Sequence, residues 1–317
     1  MRAILIQSGV LSWIEQQDPL CLPDHVLLEV IAAGVNRADL LQRLGMYPPP
    51  SGVTEVPGLE CAGLVKGSSL VPAGRYMALV PGGAYAEKVA VPRGMLIPVP
   101  AGLSWEEAAC LPEAVYTAYL NLIKLGGLRR GETVWITSGS SGVGSLAIQL
   151  AKAFGARVIA TAGSPDKVAR CLTLGAEYCV NHRSQHTIES VKEAAGDSGV
   201  DLILDMIGGE YLNDRLRVLN RGGRMILIGL LGGTKGRLDH SLVLGRNLSI
   251  TGSTLRDRSI EEKIDLTKEI QAKVMPWILD GRLVPVLDSV FPIEEVSKAH
   301  DRMQKNEHFG KIVLRIR

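Results

Sequence analysis

Apolar residues keep two different rhythms along this chain. Through residue 115 they form short runs broken by glycine and proline. Val26-Leu27-Leu28-Glu29-Val30 and Gly63-Leu64-Val65 read as strand pieces. Tyr47-Pro48-Pro49-Pro50-Ser51-Gly52 reads as a loop, because each proline lacks a backbone donor and holds its φ. Short strands at turn-rich spacing predict a β-rich, barrel-like or sandwich-like unit. From about residue 105 the rhythm changes. Trp105 to Lys124 is predicted helical, with Ser104 as N-cap and Glu106 and Glu107 in the first turn. A strand at 133–137 precedes a helix from Val143 to Phe154, whose Leu146, Ala147, Leu150, Ala151 and Phe154 share a face. A strand at 157–161 follows, and Ser164-Pro165-Asp166 opens the next helix with proline at its first position. Further strands are expected at 178–180, 201–205, 224–228 and 248–251. Strands alternating with helices predict a parallel sheet. Residues 253–317 drop the alternation and are expected to pack back on the first unit. The expected division is therefore 1–115, 116–252 and 253–317.

Composition narrows the function classes. At 317 residues the chain has room for about two domains and a core that needs no covalent staples. Hydrophobic residues at 46% and charged residues at 21% exclude a disordered tail or a fibre. Lys+Arg 35 against Asp+Glu 33 leaves +2, too little field for a dedicated nucleic-acid or membrane-surface partner. No apolar run reaches the ~18 residues of a membrane span. The run Met1-Arg2-Ala3-Ile4-Leu5-Ile6-Gln7 is too short for a signal peptide. Cysteines stand at 21, 61, 110, 171 and 179 without a C-x-x-C, an odd set that suits a reduced, cytoplasmic chain.

The candidate chemistry centres on Thr137-Ser138-Gly139-Ser140-Ser141-Gly142-Val143-Gly144, between a strand and a helix. A helix N-terminus offers unpaired N–H groups and partial positive charge, and glycines let a pyrophosphate approach the backbone. Gly139, Ser140, Ser141, Gly142, Val143 and Gly144 are therefore candidate cofactor contacts; the bland alternative is a tight turn with glycines for packing. An NAD site places an acid ~20 residues further on, to hold the ribose 2′-hydroxyl. Here that stretch is Thr161-Ala162-Gly163-Ser164, with no acid at the strand end. Ser164 and Lys167 can meet a 2′-phosphate instead, which favours NADPH. Alternatively, Ser164 only caps its helix and Lys167 is a solvated lysine.

These motifs, together with Asn36-Arg37-Ala38-Asp39-Leu40, Gly45-Met46-Tyr47, Pro57-Gly58-Leu59-Glu60, Leu79-Val80-Pro81-Gly82-Gly83, Leu204-Asp205, Gly252-Ser253-Thr254-Leu255-Arg256 and Gly310-Lys311-Ile312-Val313-Leu314, carry a family resemblance nearly end to end. The chain resembles the zinc-free quinone oxidoreductase branch of the medium-chain dehydrogenase/reductase superfamily, with its nearest likeness to the tumour-suppressor-inducible NADPH quinone reductases. The resemblance implies an α/β protein: a GroES-like, β-rich catalytic domain interrupted by a Rossmann domain, with the cofactor in the cleft. It also implies a homodimer joined through Rossmann edge strands. Zinc relatives use a Cys and a Gly-His-Glu where this chain has Asn36 and Leu59, and neither side chain replaces thiolate or imidazole, so no metal is expected. Cys61 reads as buried packing. The Tyr-x-x-x-Lys pair of short-chain dehydrogenases is absent, since neither Tyr116 nor Tyr119 has a lysine four residues on.

Without metal, the protein must align donor and acceptor and stabilise charge on the acceptor oxygen. Tyr47 is the first candidate donor to that oxygen; otherwise it packs against its prolines. Asn36 can orient substrate or nicotinamide, or serve only its own turn. Ser141 can reach the nicotinamide side, or cap its helix. Leu230 and Leu231 follow a strand and can pass near the nicotinamide. Ser253, Leu255 and Arg256 fall where the chain recrosses, and Arg256 contacts the cofactor or supports the cleft. His182 stands where relatives carry a tyrosine on the adenosine side. Relatives also carry Gly-Asp-x-Val where this chain has Gly74-Arg75-Tyr76-Met77, after a short connection through Lys66–Pro72, so the rim differs. The expected function is NADPH-dependent reduction of small quinones. The alternatives are reduction of an activated C=C bond in an alkenal, enone or enoyl thioester, and a non-catalytic NADPH-binding scaffold.

Overall fold

A computed structural model describes residues 1–183 and 186–317. The chain forms two compact units. The first comprises Met1–Tyr116, Leu255–Asp280 and Pro285–Arg317; the second comprises Thr117–Thr254 and Gly281–Val284. The return of the C-terminal residues to the first unit follows from the lost alternation. The brief excursion Gly281–Val284 does not: it joins the second unit through Val284, whose N–H and C=O both bond the Gln149 side-chain amide, at 2.8 and 3.0 Å.

The first unit opens with a hairpin of β1 (Arg2–Gln7) and β2 (Val10–Glu15). Ser8 and Gly9, both at positive φ, make the two-residue turn that such a hairpin favours. β3 (His25–Gly34) buries Val26, Leu28, Val30 and Ala32 in strict alternation, the mark of a strand with one face on the core. After helix α1 (Arg37–Arg43) come β4 (Glu60–Val65), β5 (Gly74–Leu79), β6 (Lys88–Pro92) and β7 (Leu96–Pro98). Arg75 belongs to this unit's fabric: its guanidinium lies over the Trp105 ring at 4.1 Å and donates to the Leu103 carbonyl.

The single helix expected over 105–124 is broken. α2 (Trp105–Ala109) is capped by Ser104, which accepts from Glu107 N–H while the Glu107 carboxylate accepts from Ser104 N–H. α3 (Pro112–Tyr119) starts afresh, and residues 120–125 widen into a π-helical turn. The break follows from Pro112, which has no N–H and disfavours helical φ/ψ in the residue before it.

The second unit is a six-stranded sheet with every neighbouring pair parallel. Its strands are β8 (Thr133–Ile136), β9 (Arg157–Ala162), β10 (Tyr178–Asn181), β11 (Val200–Asp205), β12 (Leu219–Leu227) and β13 (Ser249–Gly252). Its helices include α4 (Gly142–Phe154), α5 (Pro165–Leu174), α6 (Thr187–Ala195), α7 (Leu212–Leu216) and α8 (His240–Arg246). The spatial order is β10-β9-β8-β11-β12-β13. Counted from β8 this is 3-2-1-4-5-6, the doubly wound order whose switch point lies between the first and fourth strands. The C-terminal ends of β8 and β11 are therefore where a dinucleotide belongs.

The returning chain adds α9 (Ile260–Lys273), α10 (Met275–Leu279), β14 (Leu287–Pro292), α11 (Val296–Gln304) and β15 (Lys311–Arg315) to the first unit. β15 pairs antiparallel with β3, completing a sheet ordered β14-β15-β3-β4-β5-β7 with β6 also on β3. Among the described residues no helix is long and apolar enough to cross a membrane.

Candidate functional site

In the second unit the glycine turn sits at the switch point. Ser138 takes a left-handed φ of 55°, and Gly139 N–H bonds the Thr161 carbonyl of β9 at 2.8 Å. A Cβ on Gly144 would collide with the Ser138 carbonyl and lie 2.9 Å from Gly139 Cα, so only glycine lets α4 start this close to the turn. Ser141 is the N-cap of α4: its Oγ accepts from Gly144 N–H at 2.9 Å and donates to Met206 Sδ at 3.3 Å. Ser140, Gly142 and Val143 are partly open around this helix start. Across the switch point Asp205 ties the two strand ends together. It accepts from Thr137 Oγ1 at 3.2 Å and from the N–H groups of Ile207 and Gly208. Leu231 N–H and Gly232 N–H bond the Met206 and Ile207 carbonyls, which leaves the Leu230 and Leu231 side chains about half exposed. At the end of β13, Ser253 Oγ is buried without a hydrogen-bond partner.

The ends of β9 and β10 gather basic groups. Ser164 caps α5 by accepting from Lys167 N–H at 3.3 Å. The His182 ring lies over Gly163, where an added Cβ would meet its Cε1 at 3.1 Å and Arg183 Nε at 3.8 Å. Burial, then Arg183 and Lys167, lowers the His182 pKa, so this ring is neutral among cations. Arg183 was not singled out from sequence; its signal was its place directly after the β10 terminus, beside His182.

In the first unit Tyr47, Arg256 and the segment around them form one network. Arg256 is buried and donates to Pro81 O at 2.8 Å, Gln42 Oε1 at 2.9 Å and Tyr47 O at 3.4 Å, with its guanidinium 5.4 Å from the Tyr47 ring centre. These bonds tie Arg256 to the Tyr47 loop. Leu255 is buried in the same unit. The Tyr47 phenol is pushed up to about 12 by burial and by Asp257, with Arg256 opposing, and so keeps its proton.

Asn36 leads to a second network. Its Oδ1 accepts from Lys311 Nζ at 2.6 Å and its Nδ2 donates to Glu60 Oε1 at 3.0 Å. Lys311 also lies 2.5 Å from Glu60, and both are buried. Asp39 is not paired with Arg37, which reaches Asn306 instead. It accepts from Asn36 N–H, Gly58 N–H and the Tyr85 hydroxyl, and burial raises its carboxyl to about 6. Cys61 is fully buried and burial drives its thiol pKa up, as packing requires. Glu60, Lys311 and Glu113 had no assigned role at the sequence level, although the first two lie in motifs that carry the resemblance.

Comparison with known proteins gives this geometry a family. The chain is 31% identical over 327 residues to quinone oxidoreductase of Rattus norvegicus, covering 99% of this chain and 97% of the relative. The chain belongs to the quinone oxidoreductase branch of the medium-chain dehydrogenase/reductase superfamily. Residues 142–271 match a family described as "Zinc-binding dehydrogenase". The solved quinone oxidoreductase of Thermus thermophilus, also described in complex with NADPH, is 35% identical with a TM-score of 0.86, covering 100% of both chains. The CurK enoyl reductase structure is 27% identical with a TM-score of 0.87, covering 100% of this chain and 99% of that one. A Mycobacterium tuberculosis phenolphthiocerol/phthiocerol polyketide synthase subunit matches 92% of this chain at 31% identity, but the chain spans only 14% of its length. The α/β architecture thus holds as expected: a parallel dinucleotide-type sheet and an antiparallel-rich GroES-like unit.

Proposed function

We propose that this protein is an NADPH-dependent oxidoreductase that reduces small quinones without a metal ion. The observation that carries the reading is that β9 ends without an acid and that Lys167, His182 and Arg183 gather beside a dinucleotide switch point, Asp166 coming only in the first turn of α5. Ser164, Lys167, His182 and Arg183 suit a 2′-phosphate, where an NAD site would place an acid. Gly139, Ser140, Ser141, Gly142, Val143 and Gly144 would hold the pyrophosphate at the α4 N-terminus. Leu230, Leu231 and the unpartnered Ser253 hydroxyl would line the remainder. The cofactor, when bound, supplies a hydride.

The chain's own residues have to stabilise the acceptor. Tyr47 keeps its phenol proton across the physiological range and donates a hydrogen bond to an oxygen that gains negative charge. Arg256 fixes that loop by bonding Tyr47 O, Pro81 O and Gln42. Zinc does not fit. The Lys311 ammonium stands within 2.6 Å of Asn36 and 2.5 Å of Glu60, so a dication there would face a cation and an amide rather than thiolate and imidazole. A cytoplasmic homodimer belongs to the same reading. It is supported by the edge strand β13, which offers unpaired backbone groups beside exposed Ile250 and Leu244.

The test is to follow NADPH consumption with a benzoquinone and an unsaturated aldehyde in parallel, with NADH controls. Fast NADPH-specific turnover of the quinone is expected. Turnover of the aldehyde alone moves the function to reduction of activated C=C bonds, a second reading favoured by the likeness to an enoyl reductase and to part of a polyketide synthase. Binding without turnover leaves a cofactor-binding scaffold.

A further inference from the structure

Two of the five cysteines meet beneath the glycine turn of the second unit. A Cβ built on Gly139 would lie 3.1 Å from Cys171 Sγ and 3.0 Å from Ala160 Cβ. The α5 sulfur therefore sits under the turn, beside a β9 side chain. Cys179 on β10 is the register partner of that same Ala160. Register partners in parallel strands point to one face of the sheet, so Cys179 projects toward α5, which packs on both β9 and β10. The next residue, Val180, packs on the opposite face with Ile159, Trp135 and Val191, as strand alternation requires. The two thiols hydrogen-bond each other across the join of helix and strand. Both are free; Cys171 is wholly buried and Cys179 is partly open. The remaining cysteines stand elsewhere: Cys61 and Cys110 are buried in the first unit, and the exposed Cys21 bonds the His25 carbonyl. The pair also joins the two elements that carry the 2′-phosphate groups, since α5 begins at Ser164 and β10 runs out to His182 and Arg183.

We propose that Cys171 and Cys179 are a modification site: hydrogen peroxide converts them to a reversible disulfide, which weakens NADPH binding. The effect on NADPH rests on the phosphate-cradle reading above; the bond itself does not. The chemistry balances in two steps. The Cys179 thiol, the more open of the two, gives up its proton and its sulfur attacks one peroxide oxygen. The O–O bond breaks, hydroxide leaves and takes that proton as water, and Cys179 becomes a sulfenic acid. The Cys171 sulfur then attacks the Cys179 sulfur. The S–O bond breaks, and the departing hydroxide leaves as water with the Cys171 proton. The thiols have lost two electrons and one peroxide has become two waters. A dithiol restores the pair by exchange. The neighbouring Cys171 thiol, then burial, raise the Cys179 pKa, so the pair stays reduced until oxidant is plentiful. A disulfide holds its sulfurs about 2.05 Å apart, well inside hydrogen-bond contact. Closing it draws Cys171 Sγ toward β10 and out from under Gly139. Packed interiors do not keep such a gap without shifting, so the turn that starts α4 loses its support.

The experiment reduces the full chain with dithiothreitol, removes the reductant and adds hydrogen peroxide. Peptides are then mapped without reduction by mass spectrometry. Cleavage after Glu177 separates the two cysteines, so a linked peptide pair demonstrates the bond. The expected result is a Cys171–Cys179 link, with NADPH affinity by fluorescence titration down about tenfold and restored by dithiothreitol. Cys179→Ser is expected to bind NADPH like reduced wild type and to ignore peroxide. Peroxide that leaves these two thiols unlinked, or that links only Cys21 between chains, overturns the proposal. So does a Cys179→Ser protein that loses NADPH affinity as wild type does. Should Cys179→Ser fail to fold, the wild-type loss of affinity must track the linked fraction; loss without the link overturns the proposal equally. A link that forms while NADPH affinity stays unchanged fails the switch alone. Reduced protein that binds no NADPH fails the cradle reading and the switch with it.

Discussion

The glycine turn of the second unit and the charged network of the first are built on opposite plans. Between Thr137 and Gly144, eight consecutive residues make the strand end, the turn, the cap and the helix start. The helix start is capped locally, Ser141 Oγ taking Gly144 N–H, and only its anchoring to β9 and the β11 end, through Gly139, Thr137 and Ser141, is long-range. The first unit's network draws Asn36, Asp39, Glu60, Glu113 and Lys311 from across the chain, and the Asn36–Lys311 bond spans 275 residues. A local anion cradle uses backbone groups that any helix start exposes, so it needs only the right residue types in the right order. A buried charge network has no such template. Each ion is tolerable only if distant elements bring it a partner.

The contrast predicts different failures. The largest belongs to the long-range network. Lys311→Met should cost about 3–5 kcal/mol of stability, because it leaves the buried Glu60 carboxylate without its cation. Urea unfolding checks this, and adding Glu60→Gln should restore part of the loss. A Lys311→Met protein as stable as wild type would remove the network's structural role.

The local cradle should fail in binding more than in folding. Gly144→Val places carbon against the Ser138 carbonyl and Ser141 Oγ, and should weaken NADPH binding by about 100-fold, ~3 kcal/mol. Fluorescence titration with NADPH reads this directly. At the far side of the same cradle, Arg183→Ala should weaken NADPH about tenfold and leave NADH nearly unchanged, since a single exposed charge is lost from a phosphate contact. Equal loss for both cofactors would mean that Arg183 does not read the 2′-phosphate.

The mildest test is pH. The folded-state pKa of Glu113 is raised from 4.5 to about 8 and that of Asp39 from 3.8 to about 6. Between the lower and upper value of each pair the folded protein holds a proton that the unfolded chain has released. Stability should therefore fall as pH rises through these windows and stay lower above them. Glu113→Gln should flatten the decline between about pH 4.5 and 8, measured as urea midpoints across that range. A slope equal to wild type would show that Glu113 titrates normally.

Much of the architecture was legible before the structure, for reasons that are local. The cap at Ser104, the proline start after Ser164 and the βα alternation all rest on contacts within a few residues. The break in the expected 105–124 helix was written in Pro112, yet the apolar spacing runs straight through it. For the candidate site, Tyr47 and the glycine turn stood out by residue type and setting. The fate of the hydrophilic partners did not. Arg256 was placed at the recrossing, but only folding shows it spending its guanidinium on Gln42, Pro81 and Tyr47. Asn36 looks like any turn asparagine until Lys311 and Glu60 occupy both ends of its amide.

Order and period along the chain were enough to determine a parallel dinucleotide-type sheet with a β-rich companion, the glycine turn that opens α4, and the lack of an acid at the end of β9. Those properties depend on neighbours in sequence, where backbone geometry is nearly universal. Tertiary structure alone decided that Asn36, Glu60 and Lys311 meet, that the Glu113 main-chain N–H reaches Glu60, and that burial raises the Asp39 carboxyl. Protonation depends on burial and on the sum of fields from strands and helices far apart in sequence, and neither exists until the chain has folded.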